Sequence, residues 1–137
     1  MITNRLNLEF PVQPEDSSRP GEHVPGEILI VAASRVNRIV VESTVRRMGR
    51  PCRALDFTTL TEISDTGRPD LVIFDCSGRV ELCRDFTALF NQRIRPKLMI
   101  ICGSETIDGI HHDMVLRKPV IADRLEEAIL ALLPSGA

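Results

Sequence analysis

Arg68-Pro69-Asp70-Leu71-Val72-Ile73-Phe74-Asp75 is an apolar run that ends on a carboxylate. A run of this kind suits a central parallel strand, buried on both faces. Further along, Val115-Leu116-Arg117-Lys118-Pro119 puts a lysine at the same kind of strand end. An Asp and a Lys at the carboxyl edge of a parallel sheet form a site where such sheets bind ligands.

Outward from that strand, the chain alternates strand and helix from Glu27 on. Ile28–Ala33 is a second continuous apolar run. Val41, Val45 and Met48 then recur at helical spacing from Arg35, and Gly49 reads as a stop. Cys52–Phe57 is a weaker strand. Thr59 with Glu62 fits a capping box that opens a short helix ending before Gly67. Leu82, Phe86, Leu89 and Phe90 mark one helix face, and Lys97–Cys102 is the next strand. Glu105–His112 is polar, with room for a helical turn or two at most. Met114–Leu116 is the fifth strand, and Leu125, Ala128, Ile129 and Leu132 mark a final amphipathic helix. Alternating β and α segments call for a parallel sheet with helices on both faces. Five strands in this length fit a flavodoxin-like (βα)5 doubly wound sheet of order 2-1-3-4-5, with a shortened fourth helix. The domain is predicted over 27–134, with a Pro-rich tail or linker at 1–26 and a short tail at 135–137. Within the first tail, Leu6, Leu8 and Phe10 alternate with polar residues as in a strand edge.

The chain has 137 residues, 43% of them apolar, and a formal net charge of -2. This length suits a single domain with a real core. Charges of both signs are interspersed, which gives no global nucleic-acid or membrane signature. No apolar run approaches a bilayer span, and the N-terminus lacks a charged-then-apolar leader pattern. The expectation is a soluble cytoplasmic protein. Cys52, Cys76, Cys83 and Cys102 contain no Cys-x-x-Cys pair and are expected to be reduced thiols, largely buried. His111 and His112 are adjacent, so on a regular element they diverge, and no metal site is expected there.

The segment Ile28-Leu29-Ile30-Val31-Ala32-Ala33-Ser34-Arg35-Val36-Asn37-Arg38 resembles the opening of receiver domains from response regulators and hybrid histidine kinases. Those commonly read I-L-I-V-D-D-N-x-x-N-R. Val40, Val41, Val45 and Gly49 resemble their first helix. Pro69–Asp75 resembles their third strand, which ends on the phosphoacceptor aspartate. Leu116-Arg117-Lys118-Pro119 resembles their Lys-Pro signature, and Leu125 and Ile129 their last helix. Together these motifs span about 27–134 of the chain. The resemblance implies that Asp75 is the phosphoacceptor equivalent and Lys118 the lysine that contacts the phosphoryl group. It also implies a cis bond at Lys118–Pro119.

The departures from that pattern bear on function. Ala32 and Ala33 stand where receivers carry the paired acids that hold Mg²⁺. Magnesium needs oxygen ligands and seldom settles for one carboxylate, so its binding is expected to be weak or absent. Cys102 stands for the switch Thr or Ser, and a thiol is a weak hydrogen-bond donor. Val115 stands for the switch aromatic. Gly78-Arg79 stands for the usual Met-Pro pair. Three readings of Asp75 and Lys118 remain open: a structural ion pair inherited from an active ancestor, residual phosphorylation of Asp75, and an anionic ligand at Lys118.

Arg46, Arg47, Arg50 and Arg53 cluster near the end of the first helix. They read either as a solvated face or as a docking site for an acidic partner or a phosphate-bearing ligand such as a cyclic dinucleotide. Nothing resembles a helix-turn-helix, so DNA binding has no support. The segment Asn7–Val12 with its Pro-rich sequel resembles the junction after a hybrid kinase's ATP-binding domain. The leading expectation is a non-enzymatic receiver-like interaction domain whose partner is a histidine kinase, a phosphotransfer protein or an adjacent kinase domain. The alternatives are an atypical phosphoacceptor using Asp75 and a sensor of a small anion.

Overall fold

The computed structural model describes residues 24–55, 69–76, 80–89, 96–104, 107 and 109–134, with Leu89 described by its backbone alone. The elements are β1 (Ile28–Ala32), α1 (Arg35–Arg47), β2 (Cys52–Leu55), β3 (Leu71–Asp75), α2 (Val80–Leu89), β4 (Lys97–Cys102), β5 (Met114–Arg117) and α3 (Ala122–Leu132). The strands form one sheet in the order β2-β1-β3-β4-β5, and every neighbouring pair is parallel. This is the flavodoxin-like order that the alternating pattern predicts. The short helix expected around Thr59, the end of the second strand at Asp56 and Phe57, Gly78-Arg79, Phe90 and the Leu6–Phe10 alternation lie outside the described residues.

Period-two alternation sorts the strand residues into two cores. Leu29, Val31, Val72, Phe74, Leu98, Ile100 and Cys102 face one side, where Cys83 and Phe86 of α2 pack on them. Ile28, Ile30, Leu71, Ile73, Met99 and Ile101 face the other, against Val41 and Val45 of α1 and Leu125, Ala128 and Ile129 of α3. The buried face of α2 is set by Cys83 and Phe86, whereas Leu82 is only half-buried. The Phe74 and Phe86 rings lie 5.1 Å apart at 44°, a tilted geometry that favours aromatic pairs. The helix stop after α1 is as expected: Gly49 adopts φ +77°, and its N–H donates to the Arg46 carbonyl at 2.9 Å. A left-handed residue closes a helix this way with no Cβ penalty.

Between β4 and β5 no helix occurs among the described residues. Ile107 and Ile110 are 7% and 4% exposed and fill the sheet face there. Asp113 anchors the return to β5, because its N–H donates to the Leu98 carbonyl at 2.8 Å and its carboxylate accepts the Leu98 N–H at 2.8 Å. At the same amino edge of the sheet, Arg53 of β2 makes two hydrogen bonds to Glu27, at 2.8 and 3.1 Å.

Phe86 is the largest buried side chain that α2 contributes. Phe86→Ala is expected to lower stability by about 3–5 kcal/mol, through lost burial and a residual cavity. Urea unfolding checks this; a loss below about 1 kcal/mol, the size of an ordinary surface change, would mean that α2 is not docked in this way.

Candidate functional site

The strand order reverses between β1 and β3, and their register pairs Ala32 with Asp75 at the carboxyl edge. Ligands of open α/β sheets bind outside the strands at such a reversal. Asp75 ends β3 with its side chain only 2% exposed, and Lys118 Nζ lies 3.0 Å from its Oδ1. Asn37 Nδ2 donates to its Oδ2 at 2.6 Å. Both carboxylate oxygens therefore have a donor from elsewhere in the chain.

Local sequence explains how Asn37 gets there. Ser34 caps α1, and its Oγ accepts the Asn37 N–H at 3.3 Å. The cap fixes Asn37 in the first turn, which opens at the carboxyl edge because α1 follows β1 directly. Arg38, one residue on, folds back and donates to the carbonyl of Ala32. Asn37-Arg38 falls within the segment that resembles receiver openings, but the resemblance assigns the pair no role. The signal available was its spacing from the Ser34 cap.

Lys118 reaches Asp75 from the segment that follows β5, where the Lys118–Pro119 bond is cis. Ala32 is fully buried beside Asp75, Ala33 is exposed, and neither offers a side-chain oxygen. Among the described residues, no group of three His, Cys, Asp or Glu side chains could hold a metal ion. Both Asp75 oxygens are held by side chains of the protein and the alanines beside them carry no oxygen ligand, whereas Mg²⁺ prefers octahedral oxygen coordination.

The switch-equivalent positions are also engaged. Cys102 is buried, and Arg117 Nη1 donates to its Sγ at 3.1 Å and to the Gly103 carbonyl at 2.7 Å. Val115 is half-buried against the core on the α2 side. Cys52 is half-buried, and Cys76 and Cys83 are buried; all four cysteines are free. A hydrogen bond with Cys76, reinforced by burial, pushes the Cys83 thiol well above the usual range, which leaves it little thiolate character. His111 and His112 have separate neighbours, Asp113 Oδ1 at 4.0 Å and the Ile110 carbonyl at 2.8 Å.

The four clustered arginines do not converge on a common point. Arg46 pairs with Glu42 at 2.6 Å, and the hydrogen bond to that carboxylate raises the Arg46 pKa above its ordinary value. Arg47 pairs with Glu126 of α3 at 2.8 Å. Arg50 donates to the Leu133 carbonyl, and Arg53 is held by Glu27. Each guanidinium thus has a local partner, and together they tie α1 and β2 to α3 and to the start of β1.

An open cavity of about 540 Å³ adjoins the Asp75 network, lined by Asn37, Val40, Lys118, Pro119 and Val120. Lys118→Met would remove the ammonium that lies 3.0 Å from the buried Asp75 carboxylate. The expected loss is about 3 kcal/mol, as for other broken buried pairs. Adding Asp75→Asn should return at least half of it; a double-mutant cycle by chemical unfolding checks the coupling. A single-variant loss indistinguishable from zero would show that the pair does not hold this edge.

No family model matches the sequence, and no curated protein matches it. Solved structures do match it closely in shape. The receiver domain of a sensor histidine kinase from Pseudomonas aeruginosa, whose structure has a magnesium ion coordinated in the active-site cleft, is 20% identical with a TM-score of 0.66 and covers 82% of this chain and 100% of its own. The receiver domain of a histidine kinase from Syntrophus aciditrophicus is 21% identical with a TM-score of 0.66, covering 81% of this chain and 92% of its own. The chemotaxis protein CheY4 of Vibrio cholerae is 16% identical with a TM-score of 0.64, covering 79% of this chain and 98% of its own. The reversal point between β1 and β3, the Asp75–Lys118 pair across the carboxyl edge and these likenesses together give the described residues from β1 to α3 the fold of a response-regulator receiver domain.

Proposed function

We propose that this chain is a degenerate receiver of two-component signalling, a non-enzymatic module that works by protein contact and largely without phosphorylation. One observation carries the reading. The carboxylate that would accept phosphate is enclosed by Lys118 and Asn37, while Ala32 and Ala33 occupy the positions from which a cation would be held.

Loading Asp75 would require one of its oxygens to attack phosphorus while charge builds on the transferred group. A metal normally neutralises that charge. Removing one such electrostatic element commonly costs a hundredfold or more in rate, about 3 kcal/mol. Here the nucleophilic oxygens are also drawn towards an ammonium and an amide, which lowers their reactivity. Downstream, a phosphoryl group would find a buried Cys102 thiol already bonded to Arg117. It would meet no aromatic ring at Val115. The chemistry of loading and the means of relaying it are thus both weakened, while the five-stranded parallel sheet is kept.

The partners that suit such a module are a histidine kinase, a phosphotransfer protein or a neighbouring kinase domain. Incubation with acetyl phosphate and Mg²⁺, followed by intact-mass measurement, is expected to show no labelled Asp75. Transfer from a cognate phosphorylated kinase is expected to be equally absent. Robust labelling that disappears in Asp75→Asn would replace this reading with that of an atypical phosphoacceptor.

A further inference from the structure

β3 and α2 face each other through two matched pairs of side chains. On the strand side, Phe74 and Cys76 are two residues apart and point to the same face. The Cys76 N–H donates to the Ile101 carbonyl at 2.9 Å. That bond carries the ladder one step past the Asp75–Ile101 pair and keeps the Cys76 backbone in line with the strand. On the helix, Cys83 and Phe86 are three residues apart and belong to the same core. Phe86 meets Phe74 with ring centroids 5.1 Å apart, and Cys83 is hydrogen-bonded to Cys76. The helix therefore runs back along the strand, and the aromatic contact at one end sets the thiol contact at the other. All four side chains are fully buried.

This pair stands apart from the other two cysteines. Cys52 packs on the opposite face of the sheet. Cys102 shares the face, but its sulfur accepts a hydrogen bond from Arg117 at 3.1 Å. A single buried cysteine behaves as a small apolar side chain. Two in contact, one on a strand and one on a helix, are the arrangement from which a disulfide forms, since the sulfurs must close to about 2.05 Å.

We propose that Cys76 and Cys83 are a redox modification site, which a peroxide converts to an intramolecular disulfide that fastens α2 to the end of β3, next to Asp75. The hydrogen bond to Cys76, together with burial, pushes the Cys83 thiol up. Cys83 is thus the poorer thiolate, and Cys76 is the sulfur that attacks. As the thiolate it displaces hydroxide from hydrogen peroxide: an S–O bond forms, the O–O bond breaks, and the Cys76 proton leaves with that hydroxide as water. The Cys83 sulfur then attacks the sulfenic acid. The S–S bond forms, the S–O bond breaks, and the departing hydroxide takes the Cys83 proton as a second water. Two thiols lose two electrons, and one peroxide becomes two waters. An external dithiol reverses the bond by exchange. α2 has ten residues, and a helix this short is held by its packing, so local opening at its first turn admits the peroxide. The site draws on no reading of how Asp75 is used and goes beyond the contact role proposed above.

The test uses the full chain, reduced and then treated with millimolar hydrogen peroxide under native conditions. Alkylation in denaturant is expected to count four thiols before treatment and two after it. Arg79 lies between the two cysteines and Arg84 follows the second. Trypsin is therefore expected to release the Val80–Arg84 peptide joined by a disulfide to the peptide that ends at Arg79. The bond closes a short loop in the unfolded chain, so oxidation is expected to raise the thermal midpoint by about 5–10 °C, reversibly with dithiothreitol. Cys52→Ser and Cys102→Ser should leave the oxidation rate within twofold of the parent. In Cys83→Ser, dimedone is expected to tag Cys76 as its sulfenic acid. The proposal is overturned by four alkylatable thiols after treatment, by a disulfide that joins another pair or two chains, by an oxidised form that unfolds at a lower temperature than the reduced one, by loss of the reaction in Cys102→Ser, or by absence of the tag from a folded Cys83→Ser. Mapping on the parent chain decides the case even where a serine variant does not fold.

Discussion

A carboxylate that is almost fully removed from water must be held by the protein itself, and this requirement organises the whole carboxyl edge. Asp75 belongs to the central strand β3, its ammonium partner follows the edge strand β5, and its amide partner opens α1. Three separate stretches of chain must therefore arrive together before the buried charge is tolerated. Burying such a charge without partners costs several kcal/mol, so the network fixes the relative placement of these elements as firmly as the apolar contacts beneath it do. Arg38, bonded to the last carbonyl of β1, adds a fourth tie at the same edge.

Much of this arrangement could be read from the sequence because its causes are local. Ile28–Ala32, Leu71–Asp75 and Leu98–Cys102 are apolar runs flanked by turn residues, and such runs fit only strands covered on both faces. Val41 and Val45, or Leu125 and Ile129, repeat at the helical period because each helix turns one side to that sheet. The Asp75–Lys118 pairing was also foreseeable, since the two residues end strands that the topology brings near each other. Asn37 was harder to place. Its role depends on a cap that turns one side chain of α1 back over the sheet, and neither hydropathy nor charge marks such a residue. Likewise, α2 buries Cys83 rather than Leu82, a rotation set by how Phe86 meets Phe74 and not by hydrophobicity alone.

The arginines illustrate a different limit. Arg46, Arg47, Arg50 and Arg53 are neighbours in sequence, which suggests a common purpose. Their partners lie on the same helix, on α3, at the end of α3 and at the start of β1. The exposed pairs, Arg46–Glu42 and Arg47–Glu126, each contribute little to stability, but a guanidinium engaged by a carboxylate is a weaker lure for an outside anion. A linear run of charge does not reveal how each member is satisfied, because its partners are supplied by distant parts of the chain.

The amino edge of the sheet carries a consequence of its own. Gly26, just ahead of β1, donates its N–H to Asp70 at 2.6 Å, and the carbonyl of Leu133, just past α3, is held by Arg50. Since α3 runs back against the direction of the strands, both ends of the domain emerge on the side remote from Asp75. Sequence fused or tethered at either end would hang from the base of the molecule like a stalk, leaving the opposite rim unobstructed for a visitor.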